Sequence, residues 1–288
     1  MTDDMIWLRL GRVAPDQLTQ TRQTLHQAAQ TVCATAETLL DPAEDGHHTN
    51  ILWDVEHGGF VGRPLAQGHR VFLDIRWFRA GLRTKEGTQT DSIELEGQTL
   101  AQALEALAQT LRDAGYDLPT DGLKHPPYDL PLKLDAPLSR PDTNHARELA
   151  RWYHDATLLL TQVSNTQPGA SEVRGWPHHF DLATLITLDP DAGQEKGRSI
   201  GVGLSPGDST LAEPYIYVTP WPYPGADVVL GDLPHGGMWH REGWTGALLP
   251  GHTLTSLETA DGQHHAMEAF IHTAIALCRD LLDDGAAT

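Results

Sequence analysis

The sequence predicts an α+β protein of two tandem α-β-β-β-β-α units, whose antiparallel sheets are covered by helices. Three observations carry this expectation. A chain of 288 residues is long for one core, since single cores stop growing at about 250–300 residues and typical domains hold roughly 100–150. The same order of elements reads twice along it. Each half also enters its first strand on one short motif, His-His-x-(Asn/Asp)-aliphatic, at His47-His48-Thr49-Asn50-Ile51 and at His178-His179-Phe180-Asp181-Leu182. A repeated αβ unit favours an α+β architecture, and the short glycine-bounded gaps between strands leave no room for the helices that parallel crossovers need.

From Leu18 to Leu40, Leu18, Leu25, Ala29, Val32, Ala36 and Leu39 recur at three- and four-residue steps, which predicts one apolar helical face. Asp41-Pro42 ends that helix. Strands are expected at Ile51–Val55, at Arg70–Phe78 with Val71, Leu73, Ile75 and Trp77 on one face, and at Ser92–Leu95. Leu100, Leu104, Leu107 and Leu111 mark a second helix, with Gly115 where a left-handed terminating residue is favoured. Prolines 119, 126, 127, 131, 137 and 141 then exclude a helix or central strand, because they fix φ and remove donors.

After that linker the order returns. A helix over 144–163 buries Leu149, Trp152, Tyr153, Ala156, Leu160 and Val163. Strands are expected at Leu182–Leu188, Ser199–Leu204, Tyr215–Thr219 and Thr245–Leu249, and a closing helix carries Met267, Phe270, Ile271, Ala274, Leu277 and Leu281. The expected organisation is a first unit at 1–117, a proline-rich linker at 118–142 and a second unit at 143–288.

Composition narrows the partners. A formal net charge of −19 repels phosphate backbones and anionic headgroups, so nucleic acid and membranes are excluded as partners. The acidic opening Met1 to Met5 shows no signal peptide, and no run approaches the roughly 18 apolar residues of a membrane span. A soluble, cytoplasmic chain is therefore expected, and a homo-oligomer is compatible with it. The two cysteines, Cys33 and Cys278, sit in helical apolar patterns and read as core thiols, with no disulfide framework.

Aromatic residues gather in the second half: Trp176, Tyr215, Tyr217, Trp221, Tyr223, Trp239 and Trp244, interleaved with prolines. Aromatics held by rigid prolines can wall an apolar pocket for a small molecule. Among the 16 histidines, His179 and His235 with His240 and Asp181 make the best metal-ligating set, for zinc or iron as a divalent cofactor, since neutral imidazoles and a carboxylate suit such ions. His179 or His240 would serve as general acid or base, with Asp181 orienting it. His235-Gly236-Gly237-Met238 resembles an oxyanion segment, but the GxSxG that such hydrolases need is absent. Arg63, Arg70, Arg76, Arg79 and Arg83 accompany the first sheet as a solvated charged face or as recognition groups for a carboxylate or phosphate.

Ser171-Glu172-Val173, Trp176 and Phe180-Asp181-Leu182-Ala183, followed by Pro214-Tyr215-Ile216-Tyr217, Pro222-Tyr223-Pro224 and Gly246-Ala247-Leu248-Leu249-Pro250, resemble segments of the uncharacterised bacterial DUF 5996 family in the same order. The resemblance spans most of the chain. It implies a similar two-part α+β fold and no established activity. The expected function is small-molecule binding, with or without catalysis, at Trp176, His179, Asp181, Tyr215, Tyr217, Trp221 and Trp239. A non-catalytic interaction protein and a His/Asp metal-dependent enzyme are the alternatives.

Overall fold

The computed structural model describes residues 6–124, 128–192 and 197–285. The acidic opening Met1 to Met5, and Pro126 and Pro127 of the expected linker, lie outside these. Among the described residues the fold is α+β, with two antiparallel sheets and five α-helices, as the sequence predicts. No helix among them is long and apolar enough to cross a membrane.

The compact units interleave along the chain. One comprises Thr19–Ala150 with Arg174–Phe180; the other comprises Met1–Leu18, Arg151–Val173 and Asp181–Thr288. These limits differ from the expected 1–117 and 143–288. One boundary lies inside an unbroken helix, α3 (Thr143–Thr166), and the short segment 174–180 hydrogen-bonds into the first unit.

In the first unit, β1 (Leu52–Asp54), β2 (Gly59–Val61), β3 (Arg70–Asp74), β4 (Arg79–Arg83) and β5 (Gln89–Glu94) form an antiparallel meander in sequence order. The strand expected over Arg70–Phe78 is a hairpin instead. Asp74 Oδ1 accepts the backbone N–H groups of Arg76 and Trp77, both at 2.9 Å, and Phe78 turns the chain with a φ of 53°. Side-chain capture of backbone donors by Asp competes with the strand ladder, so Val71 and Leu73 are buried while Trp77 is 52% exposed. Two helices pack with this sheet: α1 (Thr19–Leu39) and α2 (Leu100–Asp113). A Thr99/Gln102 capping box starts α2, and Gly115 after it takes the expected left-handed φ of 87°.

α1 departs from a one-faced helix. Every residue from Thr24 to Ala36 is buried, and the polar His26, Gln27, Gln30, Thr31 and Thr35 are buried with the apolar ones. Part of this polarity is absorbed locally, since Thr31 and Thr35 hydroxyls donate to the carbonyls of Ala28 and Thr31. His26 and Gln30 meet the segment 174–180 at the Pro177 carbonyl, and that segment is short and extended at β6 (Arg174–Trp176). There Gly175 and Ile51 exchange both backbone hydrogen bonds, at 2.7 and 3.0 Å.

In the second unit, β7 (Asp181–Thr187), β8 (Ser199–Ser205), β9 (Tyr215–Trp221), β10 (Met238–His240) and β11 (Gly246–Pro250) run antiparallel in the order β10-β11-β9-β8-β7. The sequence reading expected a four-strand unit in each half but placed only three strands in the first; it missed β4, beyond the hairpin turn, and the three-residue strands β2, β6 and β10, which are too short to show a period. α4 (Gly251–Thr255) precedes α5 (Ala260–Gly285), which lies on β8 and β9 and buries Met267, Phe270, Ile271 and Ala274. At its start the Gln263 side chain accepts from Leu10 N–H at 2.8 Å and donates to Leu10 C=O at 3.1 Å.

Gly201-Val202-Gly203 lies within β8. A Cβ at Gly203 would stand 2.5 Å from Tyr217 Oη and 2.6 Å from the Leu182 carbonyl oxygen. Tyr217 cannot retreat easily, because its hydroxyl donates to Asp181 Oδ2 at 2.5 Å. We therefore expect Gly203→Ala to destabilise the protein by about 2 kcal/mol, in the range of overpacked sites. Urea unfolding at neutral pH measures this, with Gly225→Ala, where the nearest atom, Val228 Cγ2, lies 3.9 Å away, as the control for a glycine replacement without a clash.

Candidate functional site

The aromatic and histidine residues singled out from the sequence separate into local environments. Asp181 is 7% exposed and accepts from Tyr217 on the neighbouring part of the sheet. Tyr215 donates to Asp208 Oδ2 at 2.5 Å. Burial, with the nearby Asp181 charge second, raises Tyr217 well above the usual phenol range, and burial also raises Tyr215. Trp221 is 42% exposed and meets Tyr223 edge-on at 5.2 Å. Trp239 donates its indole N–H to Gly231 C=O at 2.8 Å. His240 contacts Glu242 C=O through Nε2 at 2.8 Å, and the His235 ring stands 6.0 Å from that of His265. Among the described residues no three His, Cys, Asp or Glu side chains gather as a set able to hold a metal ion. His179, Asp181, His235 and His240 are thus not brought together as a metal-holding set.

Trp176 stands elsewhere. In the first unit it lines a cavity of about 270 Å³ with Cys33, Ala34 and Glu37 of α1, Asp45, Gly46, His48 and Thr49 of the following turn, Tyr128 and His178. Both His-His motifs therefore reach one place, since His48 comes from the first and His178 from the second.

Local chemistry builds this wall. Gly46 takes a left-handed φ of 71° ahead of a short 3₁₀ turn, His47–Thr49, where a residue lacking Cβ pays no steric penalty. Asp45, just before it, accepts from His47 and, at 2.9 Å, from Arg174. Desolvation opposes ionisation of Asp45, yet these hydrogen bonds hold its carboxyl down to about 2. His48 Nδ1 accepts from Ala43 N–H at 3.2 Å, which assigns the proton to Nε2, and Nε2 donates to Glu37 Oε2 at 3.1 Å. Both nitrogens of His48 are engaged.

The second motif is fixed from below. Pro177 C=O accepts from His26 Nε2 at 2.6 Å and from Gln30 Nε2 at 3.3 Å, and Gln30 Oε1 accepts the Tyr128 hydroxyl at 2.5 Å. Phe180, in a left-handed conformation at φ 59°, stacks on His26 at 5.1 Å and 2°. His178 then projects between Trp176 and Tyr128, with ring centroids 6.1 and 5.9 Å away, both edge-on. His179 lies against it at 4.2 Å.

At neutral pH the groups around this cavity are mostly uncharged. Desolvation, and then the neighbouring His179, push His178 down to about 4, although part of the ring reaches solvent. Burial also takes His26 to about 4 against the raising effect of the Pro177 carbonyl. Burial pushes the Cys33 thiol and the Tyr128 phenol up, so neither supplies a thiolate or phenolate nucleophile. Among the described residues no hydrogen bond reaches the His178 ring, leaving its donor and acceptor nitrogens to a ligand. The geometry suits recognition by aromatic faces and neutral hydrogen-bonding groups.

Sequence reasoning found Trp176 but missed Glu37, Asp45, His48 and Tyr128 as wall residues. The usable signal was the shared His-His motif together with the buried polar positions of α1. Tyr128 left no signal, since it comes from the proline-rich stretch.

The model of DUF5996, a family of unknown function, matches residues 11–276, and the chain belongs to that family. No curated protein and no solved structure matches it at a stringent threshold.

The lowered His26 sets an acid limit. An imidazole near 6.5 when unfolded and near 4 when folded favours folding fully above pH 6.5, and this support is lost as pH falls toward 4, because the unfolded chain binds the proton first. His26→Gln keeps a neutral donor for Pro177 and removes the titration. Urea unfolding at pH 7 and pH 4.5 should show the variant losing about 2 kcal/mol less than wild type over that interval. An equal loss in both would contradict the assignment.

Proposed function

For this member of the DUF5996 family we propose a binding protein for a small molecule with a flat apolar face and no negative charge, held in the cavity between α1, the 45–49 turn, Tyr128 and the 176–178 segment. The observation that carries this reading is the meeting of His48 and His178 beside Trp176 and Tyr128 in one cavity of about 270 Å³. Aromatic walls with a few fixed polar groups are the usual composition of small-molecule sites. Trp176 and Tyr128 supply the faces, and His178 supplies a neutral donor and acceptor.

The charges in the wall set the ligand's sign. Glu37 and Asp45 both contribute carboxylates, and the nearby cation Arg174 is bound to Asp45, so an anionic ligand would meet repulsion without an available guanidinium. Binding rather than catalysis follows from the state of the groups. His48 is tied at both nitrogens, the Cys33 thiol is buried and raised, and His178 near 4 is a weak base at neutral pH.

Ligand-observed NMR with indole, nicotinamide and benzoate as probes tests this. We expect indole and nicotinamide to bind wild type, and Trp176→Ala and His178→Ala each to weaken that binding about fivefold or more while leaving any binding of benzoate unchanged, with thermal midpoints confirming that the variants are folded. Neutral probes that bind both variants as well as wild type, or none that bind wild type at millimolar concentration, would refute the reading.

A further inference from the structure

The first unit holds a second cavity, of about 290 Å³, with the opposite charge. His57, Ile75, Arg76, Thr143, Ala146 and Arg147 line it, along with the backbone at Gly58 and the small side chains of Pro141 and Ala150. Its only permanently charged wall groups are two guanidinium ions, and no carboxylate lines it. The chain as a whole carries 39 acidic and 20 basic residues, and Arg79, Arg83, Arg140, Arg174 and Arg198 hold carboxylates.

Each cation is placed by its surroundings. Arg76 follows the Asp74 turn, and its guanidinium lies 5.1 Å from the Trp77 ring centroid, a cation–π contact that restrains the side chain without neutralising it. Arg147 projects from the second turn of α3, and among the described residues no carboxylate pairs with it or with Arg76. The acidic groups nearby are occupied otherwise: Asp142 accepts the N–H groups of Asn144 and His145 at the start of α3, and Asp54 holds Arg83 and His57, each at 2.8 Å. Because His57 gives its Nδ1 side to Asp54, its Nε2 is the nitrogen left over. Ile75, Pro141, Ala146 and Ala150 make the remaining surface apolar.

We propose that this cavity binds a small organic oxyanion, a carboxylate or phosphate ester with a short apolar body. Arg76 and Arg147 take the acid group, since guanidinium forks match planar oxyanions and charge-assisted hydrogen bonds are the strong ones. The aliphatic wall takes the body. The site is independent of the neutral-ligand cavity, with which it shares no lining residue.

Isothermal titration calorimetry of the full chain with phenyl phosphate, benzoate, inorganic phosphate and neutral benzamide tests the assignment. Phenyl phosphate or benzoate should bind more tightly than inorganic phosphate, and any binding of benzamide should be unaffected by loss of the cavity arginines. Arg76→Gln and Arg147→Gln should each weaken the organic anion about tenfold or more, while Arg112→Gln, which removes a charge on α2 outside the cavity, should leave it unchanged. Both cavity arginines are exposed, so the variants should keep the wild-type thermal midpoint, and an Arg147→Lys variant that recovers part of the affinity would show a charge effect in place of a folding defect. The proposal is overturned if no organic anion binds wild type at millimolar concentration, or if the Arg76→Gln/Arg147→Gln double variant binds as wild type does.

Discussion

The carbonyl of Pro177 is the point on which the first unit depends. It accepts two side-chain donors from successive turns of α1, His26 and Gln30, which fills both lone pairs of one oxygen inside the protein. Leaving such a buried acceptor unsatisfied costs about 1–3 kcal/mol, so the pairing decides where residues 174–180 lie. Their backbone continues the pairing at Gly175 and Ile51, Arg174 meets Asp45, and Phe180 packs against His26 and Phe60. A non-glycine residue in the left-handed region costs of order 1–3 kcal/mol. Phe180 tolerates it because its ring is buried among partners that hold it.

This fastening explains why α1 does not look like a surface helix. His26 and Gln30 are core residues with assigned carbonyl partners, and a polar core position is favourable only when its hydrogen bonds are met. It also explains how a cavity with walls from residues 33 and 178 exists at all. Two stretches of chain more than a hundred positions apart are joined by these five hydrogen bonds, and the aromatic side chains between those bonds define the space. The resulting cavity is negative at its charged positions, whereas the one beside α3 is positive.

Much of the fold was legible in the sequence. The α+β class, the closing helix around Phe270 and Ala274, and α2 with Gly115 after it follow from period and punctuation, since one buried face writes a clear pattern. The hairpin at Asp74 was not legible, because Arg70–Phe78 keeps a strand's alternation and only the Asp side chain bonding to Arg76 and Trp77 breaks it. Three-residue strands such as β6 carry too few positions to establish alternation. The site was legible in part: Trp176 and the His-His motifs were marked, but Asp181 and Tyr217 are spent on each other, and His240 on Glu242. Which motif meets which cavity depends on the Pro177 carbonyl, a backbone group that no residue pattern announces.

Hydrogen exchange on a His26→Ala/Gln30→Ala variant probes this fastening most directly. With both donors gone, the amides of Ile51 and Gly175, which bond each other at 3.0 and 2.7 Å, should lose protection by at least tenfold, while amides of β8, β9 and α5 keep theirs. Unchanged protection at Ile51 and Gly175 would contradict the account, because the segment carrying Trp176 and His178 would then be held by something other than the Pro177 carbonyl.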